Sequence, residues 1–314
     1  MKETKARIIM ILSMTAFGTI GIFVRQIDLP PQEIVLFRVI FGLSAIILFY
    51  LLTHRKFDLS FLKVNVSNEA SAEEIIQARS ERRNNIIFII LSGIGLAGGW
   101  LFFFTSYTYT TVAIATLCNY FEPCIVMVAS IFLFREKVTT TRIVCFLLST
   151  AGLVLVVLGG GTGGGSSNIT LGVVFGLLSA VFYSLTVICT KRVHGVDGLE
   201  MTVCQLITAL CIIAVYTFAT CGVDITGLPP KSIFCLVAIG VIHTGIVYSA
   251  YIVSMVYLRT QEVAVLAYLD PSVSVLSSVF VLKEPINLLA SLGAIMVIGF
   301  MVLNELKSSP KTSE

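Results

Sequence analysis

The sequence predicts an all-α integral membrane protein of ten transmembrane helices, arranged as a five-plus-five inverted repeat. Three observations lead there: scarce charge, ten apolar runs of spanning length, and a pattern that recurs in the two halves. Hydrophobic residues make up 56% of the 314-residue chain and charged residues 12%. Its mean hydropathy is +0.96. A soluble domain would carry about a quarter charged residues.

The apolar runs fall at 7–26, 33–53, 86–109, 112–134, 142–159, 171–190, 199–220, 232–254, 261–282 and 286–305. Each approaches the roughly 20 residues that cross a bilayer as a helix. The first run is read as a permanent span, because no small-residue cleavage site follows it before Arg25 and Asp28. Pro30-Pro31 and Pro229-Pro230 mark tight breaks before the second and eighth runs. The long polar segment 54–85 reads as a solvated cytoplasmic loop, with a surface helix around Glu69 to Arg83 as the alternative. Gly159 to Ser167 is a Gly/Ser stretch between the fifth and sixth runs. The expected organisation is a first repeat over 1–159, a linker over 160–170 and a second repeat over 171–314.

Orientation follows from Lys and Arg, which concentrate on the cytoplasmic side. With the N-terminus inside, inner segments hold seventeen of these residues and outer segments three, Arg25, Lys231 and Lys283. Arg38 lies within a run. An even number of spans, with both termini cytoplasmic in a cell membrane, is the expectation.

Five places match between the halves. Phe17-Gly18-Thr19 to Arg25-Gln26 resembles Tyr183-Ser184-Leu185 to Lys191-Arg192, and Glu33 to Arg38 resembles Glu200 to Gln205. Trp100 to Phe103 resembles Tyr248 to Tyr251. Tyr120-Phe121-Glu122-Pro123 resembles Tyr268-Leu269-Asp270-Pro271, and Phe134 to Lys137 resembles Leu282 to Pro285. Five spans per half is an odd number, so the second half runs inverted to the first. Inverted repeats are an architecture of secondary transporters, with substrate near the midplane.

With these features the chain resembles the EamA-type family of the drug/metabolite transporter superfamily. The residues that carry the resemblance are Phe37-Arg38, Glu122-Pro123, Asp270-Pro271, Glu136, Glu284, Gly152 and Gly299. The resemblance implies ten helices in two inverted halves, cytoplasmic termini and transport of metabolites, often export.

Ionisable residues at membrane depth are costly and need partners or water. Glu122 lies about 15 Å into its run and Asp270 about 13–14 Å, both near the midplane. His243 is also mid-run. Arg38 sits about 7–8 Å inside its own. It could meet an anionic group of a substrate, pair with Glu122, or snorkel to the outer interface. The expected substrate cavity takes in Arg38, Trp100, Asn119, Glu122, His243, Tyr248, Tyr251, Tyr268 and Asp270. Static packing of the same groups is the competing reading. Pro123 and Pro271 cannot donate to the carbonyls of Asn119 and Ala267, so kinks are expected there.

The expected function is secondary transport of a small organic metabolite, with lipid as the surrounding medium. Coupling to protons through Glu122 or Asp270 is a further expectation. Direct use of ATP is not expected, since Gly159 to Gly165 has no following Lys-Ser/Thr. No cofactor, metal site or nucleic-acid partner is expected. The eight cysteines form no CxxC pair, and the net charge is +3. Two alternatives compete. A membrane scaffold or sensor subunit would not need matched carboxylates. A lipid-modifying enzyme would need a nucleophile-base pair, and neither HExxH nor GxSxG is present.

Overall fold

The structure is a computed structural model, and it describes residues 3–54, 57, 71–134, 140–159, 168–193, 195–255, 257–258, 266–284 and 286–308. Among them every regular element is helical. In chain order these are α1 (Glu3–Phe17), α2 (Ile20–Val24), α3 (Pro31–Leu52), α4 (Ala72–Tyr109), α5 (Val112–Asn119), α6 (Glu122–Phe134) and α7 (Thr140–Gly159). There follow α8 (Ile169–Thr190), α9 (Gly198–Thr220), α10 (Pro230–Val237), a π-helical segment (Ala238–Val247), α11 (Tyr248–Met255), α12 (Leu269–Phe280) and α13 (Leu288–Ser308).

Six helical stretches are long and apolar enough to cross a membrane: Glu3–Val24, Pro31–Leu52, Ala72–Tyr109, Ile169–Thr190, Gly198–Thr220 and Pro230–Tyr251. Four shorter apolar stretches, Val112–Val126, Ile143–Val156, Leu269–Phe280 and Leu288–Leu303, overlap the other expected runs. The Gly/Ser stretch at 160–167, and Arg135, Glu136 and Lys137, lie outside the described residues.

Helix starts follow local chemistry. Pro31 and Pro230 open α3 and α10, where a missing N–H costs nothing. Thr111, Asn168 and Asp197 cap α5, α8 and α9 by accepting backbone N–H bonds. The polar segment 54–85 is not all loop. Ser71 and Glu74 form a reciprocal capping box that starts α4, which continues unbroken to Tyr109.

Packing brings each half against the other. Helix α4 lies along α8, α3 along the π segment, and α7 along α13. Three hydroxyls bond carbonyls across the α4–α8 seam: Ser106 to Gly172 at 2.7 Å, Ser179 to Gly99 at 2.9 Å and Thr186 to Ser92 at 3.1 Å. In a bilayer, where lipid tails are as apolar as side chains, such bonds and close backbone approach hold helices together. The α7–α13 seam uses close approach. A Cβ on Gly293 would sit 2.5 Å from the Gly152 carbonyl oxygen, and one on Gly152 would sit 2.9 Å from that of Gly293. Exposed Leu147, Val154, Leu158, Leu288, Leu292 and Ile295 on these two helices suit a lipid-facing surface.

Candidate functional site

Both carboxylates sit at the starts of apolar helices. Glu122 is the first residue of α6, after a break at Tyr120 and Phe121, and Asp270 is the second residue of α12. The free N–H groups and dipole at a helix start favour negative charge. Pro123 and Pro271 therefore fall in first turns. There the proline bends no continuous helix; the helix is interrupted just upstream. The Tyr120 hydroxyl donates to Asp270 Oδ2 at 2.6 Å, with the Tyr268 ring 6.4 Å from that of Tyr120. The Glu122 side chain is partly buried and has no hydrogen bond or ion pair among the described residues.

Two matched contacts surround these carboxylates. At Gly18, in the break between α1 and α2, a Cβ would sit 2.6 Å from the Asp270 carbonyl oxygen. Its counterpart in the second half, Ser184, donates to the Ala180 carbonyl at 2.7 Å and holds its Oγ 3.2 Å from the Glu122 carbonyl oxygen. The Asn119 side-chain amide and the Ser179 hydroxyl are hydrogen-bonded at 2.7 Å, tying the end of α5 to α8.

Arg38 on α3 is only 6% exposed, so it does not snorkel. Nor does it pair with Glu122 among the described residues. Its Nε donates to Thr244 Oγ1 at 2.8 Å, and its guanidinium carbon lies 4.6 Å from the Trp100 ring centre and 5.4 Å from that of Phe104. Its two terminal nitrogens make no hydrogen bond among the described residues. Asp270, Tyr107 and Tyr183 lie within its electrostatic reach, and Tyr183 and Tyr251 within that of Glu122. The matched residue Gln205 on α9 donates to Ser92 Oγ at 2.9 Å and Thr190 Oγ1 at 3.0 Å. A charged, clamped group in one half thus stands opposite a satisfied neutral one in the other.

The π segment carries His243 and Thr244. Its wider turn leaves the Thr244 hydroxyl bonded to the carbonyl five residues back, Ile239, at 3.0 Å. His243 Nδ1 meets the Ala238 carbonyl at 3.3 Å and Nε2 meets Thr19 Oγ1 at 3.1 Å, so the imidazole ties this segment to the α1–α2 break. Phe17, Tyr248 and Tyr251 form a ring cluster beside it, with Phe17 6.4 Å and 6.2 Å from the two tyrosines. Thr19, Thr244, Tyr120 and Tyr183 stand at the site as well, beyond the residues expected from the sequence. Three of the four stand inside, or next to, a motif already singled out: Thr19 and Tyr183 in the first repeat match, Tyr120 beside Glu122. Thr244 had no such signal.

An apolar cavity of about 600 Å³ lies between α6, α7 and α8, lined by residues including Phe121, Cys124, Phe146, Leu153 and Leu177. None of the ionisable candidate residues lines it.

The EamA-like transporter family matches this chain twice, over residues 4–158 and 170–305. The uncharacterized transporter YxxF of Bacillus subtilis (strain 168) is 27% identical over 99% of this chain and 93% of its own length. The uncharacterized inner membrane transporter YhbE of Escherichia coli (strain K12) is 26% identical over 68% of this chain and 69% of its own. A solved crystal structure covers 97% of this chain and 98% of its own with a TM-score of 0.62 at 17% identity, a likeness of fold.

Proposed function

Because the chain belongs to the EamA-like transporter family, we propose that it is a secondary transporter of a small organic metabolite bearing an anionic group, working outward by alternating access between two inverted five-helix halves. The observation that carries the substrate reading is Arg38. A buried charge is expensive unless paired. Here the Nε is anchored on Thr244 and the flat faces are covered by Trp100 and Phe104, which leaves the terminal N–H fork for a planar anion. A carboxylate or phosphate is the chemistry that fork fits.

The matched contacts support inverted halves. Gly18 on the Asp270 carbonyl corresponds to Ser184 beside the Glu122 carbonyl, and the Arg38 contact from α3 to the π segment corresponds to the Gln205 contact from α9 to α4. The charge asymmetry of the sequence supports cytoplasmic termini. Asp270 and Glu122 complete the polar lining, and Glu122 is the proposed proton carrier, since its side chain is the less committed of the two. Trp100, Asn119, His243, Tyr248, Tyr251 and Tyr268 are the proposed walls, and the breaks before Pro123 and Pro271 the proposed bending points.

A ligand screen by thermal stabilisation tests this. A ligand at one hundred times its Kd stabilises the folded state by about 2.7 kcal/mol. Carboxylates or phosphates should raise the melting temperature of the wild type and not of Arg38→Gln. Hits confined to cations, or hits equally effective on Arg38→Gln, would sink the assignment of Arg38. Flux of the hits in vesicles with and without a pH gradient then decides proton coupling.

A further inference from the structure

We propose that Arg25 and Glu284 form the outer gate of the transport cycle, an ion pair that joins the two halves when the site is shut off from outside. The proposal rests on the alternating-access reading above. Arg25 caps the end of α2, and its Nη2 donates to Glu284 Oε1 at 2.9 Å and to the Thr110 carbonyl at 2.6 Å. Glu284 Oε2 accepts from the Val112 backbone N–H at 2.9 Å and from the Ser278 hydroxyl. Three chain segments meet at this point: the end of α2, the α4–α5 turn and the turn after α12. The first two belong to one half and the third to the other.

The carboxylate is aimed by its own turn. After α12 the Leu282 and Glu284 N–H groups bond back to the carbonyls of Ser277 and Ser278, both at 3.0 Å. Lys283 adopts a φ of 53°, in the left-handed region that few residues other than glycine visit. The chain reverses there and lays Glu284 over the start of α5. The Glu284 side chain is 9% exposed and that of Arg25 24%, so water screens the pair less than it would a surface contact. The closure is also incomplete. Arg25 Nε and Thr110 Oγ1 are buried without a hydrogen-bond partner among the described residues. Unsatisfied buried atoms of this kind cost free energy and weaken the closed contact.

The same two short helices carry both the gate and the site. Helix α12 carries Asp270 in its first turn and ends at the turn that holds Glu284. Helix α2 follows Gly18, which packs on the Asp270 carbonyl, and Thr19, which meets His243, and it ends at Arg25. The two helices touch each other. A substrate that shifts Asp270 or His243 moves the elements on which the ion pair depends, which is the physical requirement for coupling.

Trp100 is the one tryptophan of the chain and lies against Arg38 at the site, so its fluorescence reports access directly. The experiment uses purified full-length protein in vesicles of fixed orientation, with iodide added outside only or trapped inside only. Arg25→Met and Glu284→Gln should each raise the Stern–Volmer constant for outside iodide about ten-fold, the factor that a loss of about 1.4 kcal/mol from the closed state gives. Arg25→Lys, which keeps the charge, should stay near wild type. Monodisperse elution of at least one variant shows that it is folded. Unchanged outside quenching in a folded variant overturns the proposal. So does a rise of equal size from both sides, which marks general loosening. The readout needs no transport. Flux in the wild type with unchanged quenching fails the gate alone, and gated quenching without flux for any ligand fails the transporter reading alone.

Discussion

Substituting Gly293 by alanine tests the helix contact that joins the fifth and last apolar runs. The new Cβ would stand 2.5 Å from the Gly152 carbonyl oxygen, 2.7 Å from the Val156 backbone nitrogen and 2.9 Å from Val156 Cγ2. Two of these three atoms are backbone and cannot swing aside. Carbon contacts are comfortable at about 3.5–4.0 Å, so α7 and α13 must part by about 1 Å over the crossing. Overpacking of this kind costs about 1–3 kcal/mol. Against it stands a gain of about 1 kcal/mol, because alanine is a better helix former than glycine. Gly299 on the same helix supplies the control: a Cβ there meets nothing within 4 Å among the described residues. Gly299→Ala should therefore show the gain alone and raise stability, while Gly293→Ala should lose up to about 2 kcal/mol. Once the helices have parted, Gly152→Ala should add less than its own single cost, since the two sites share one contact. Equilibrium unfolding of the four variants in detergent measures all of this. If Gly293→Ala melts at or above Gly299→Ala, the backbone-to-backbone packing described for α7 and α13 is wrong.

Three further outcomes follow from the site. Tyr120→Phe removes the hydroxyl that donates to Asp270 at 2.6 Å; hydrogen bonds to charged groups contribute about 1.5–3 kcal/mol, so substrate affinity or stability should fall by a measurable part of that, read by calorimetry and melting. Arg38→Lys keeps the charge but loses the planar fork and the Nε anchor on Thr244, so affinity for an anionic ligand should drop at least ten-fold in a binding titration rather than be retained. Lys283→Gly relieves a positive φ and should be neutral or stabilising, whereas Lys283→Val should destabilise by about 1–2 kcal/mol in the same melting assay.

The features set by local chemistry were the legible ones. Apolar runs located the helices because a bilayer leaves the backbone few other choices. The proline pairs at 30–31 and 229–230 set helix starts for the reason proline suits a first turn. The start of α4 was equally local: Ser71 and Glu74 have capping-box spacing, yet the charge-rich stretch around them favoured a loop reading. Features that depend on distant partners were not legible. Nothing near His243 in the chain announces a π turn, since its Thr19 partner is 224 residues away. Arg25 and Glu284 are 259 residues apart, and each reads alone as an end-of-span charge. The prolines at 123 and 271 point to kinks, because a missing N–H predicts a lost bond. It does not say whether the helix bends or stops, and here neighbouring packing at Gly18 and Ser184 accompanies a stop.

The central claim is that a small anionic metabolite passes through this protein by way of Arg38. The most direct test is flux of the best stabilising ligand into vesicles that contain the purified protein alone. Saturable flux in the wild type that is lost in Arg38→Gln, with that variant still monodisperse, is the predicted result. No flux above empty vesicles for any stabilising ligand, or equal flux in Arg38→Gln, would contradict it.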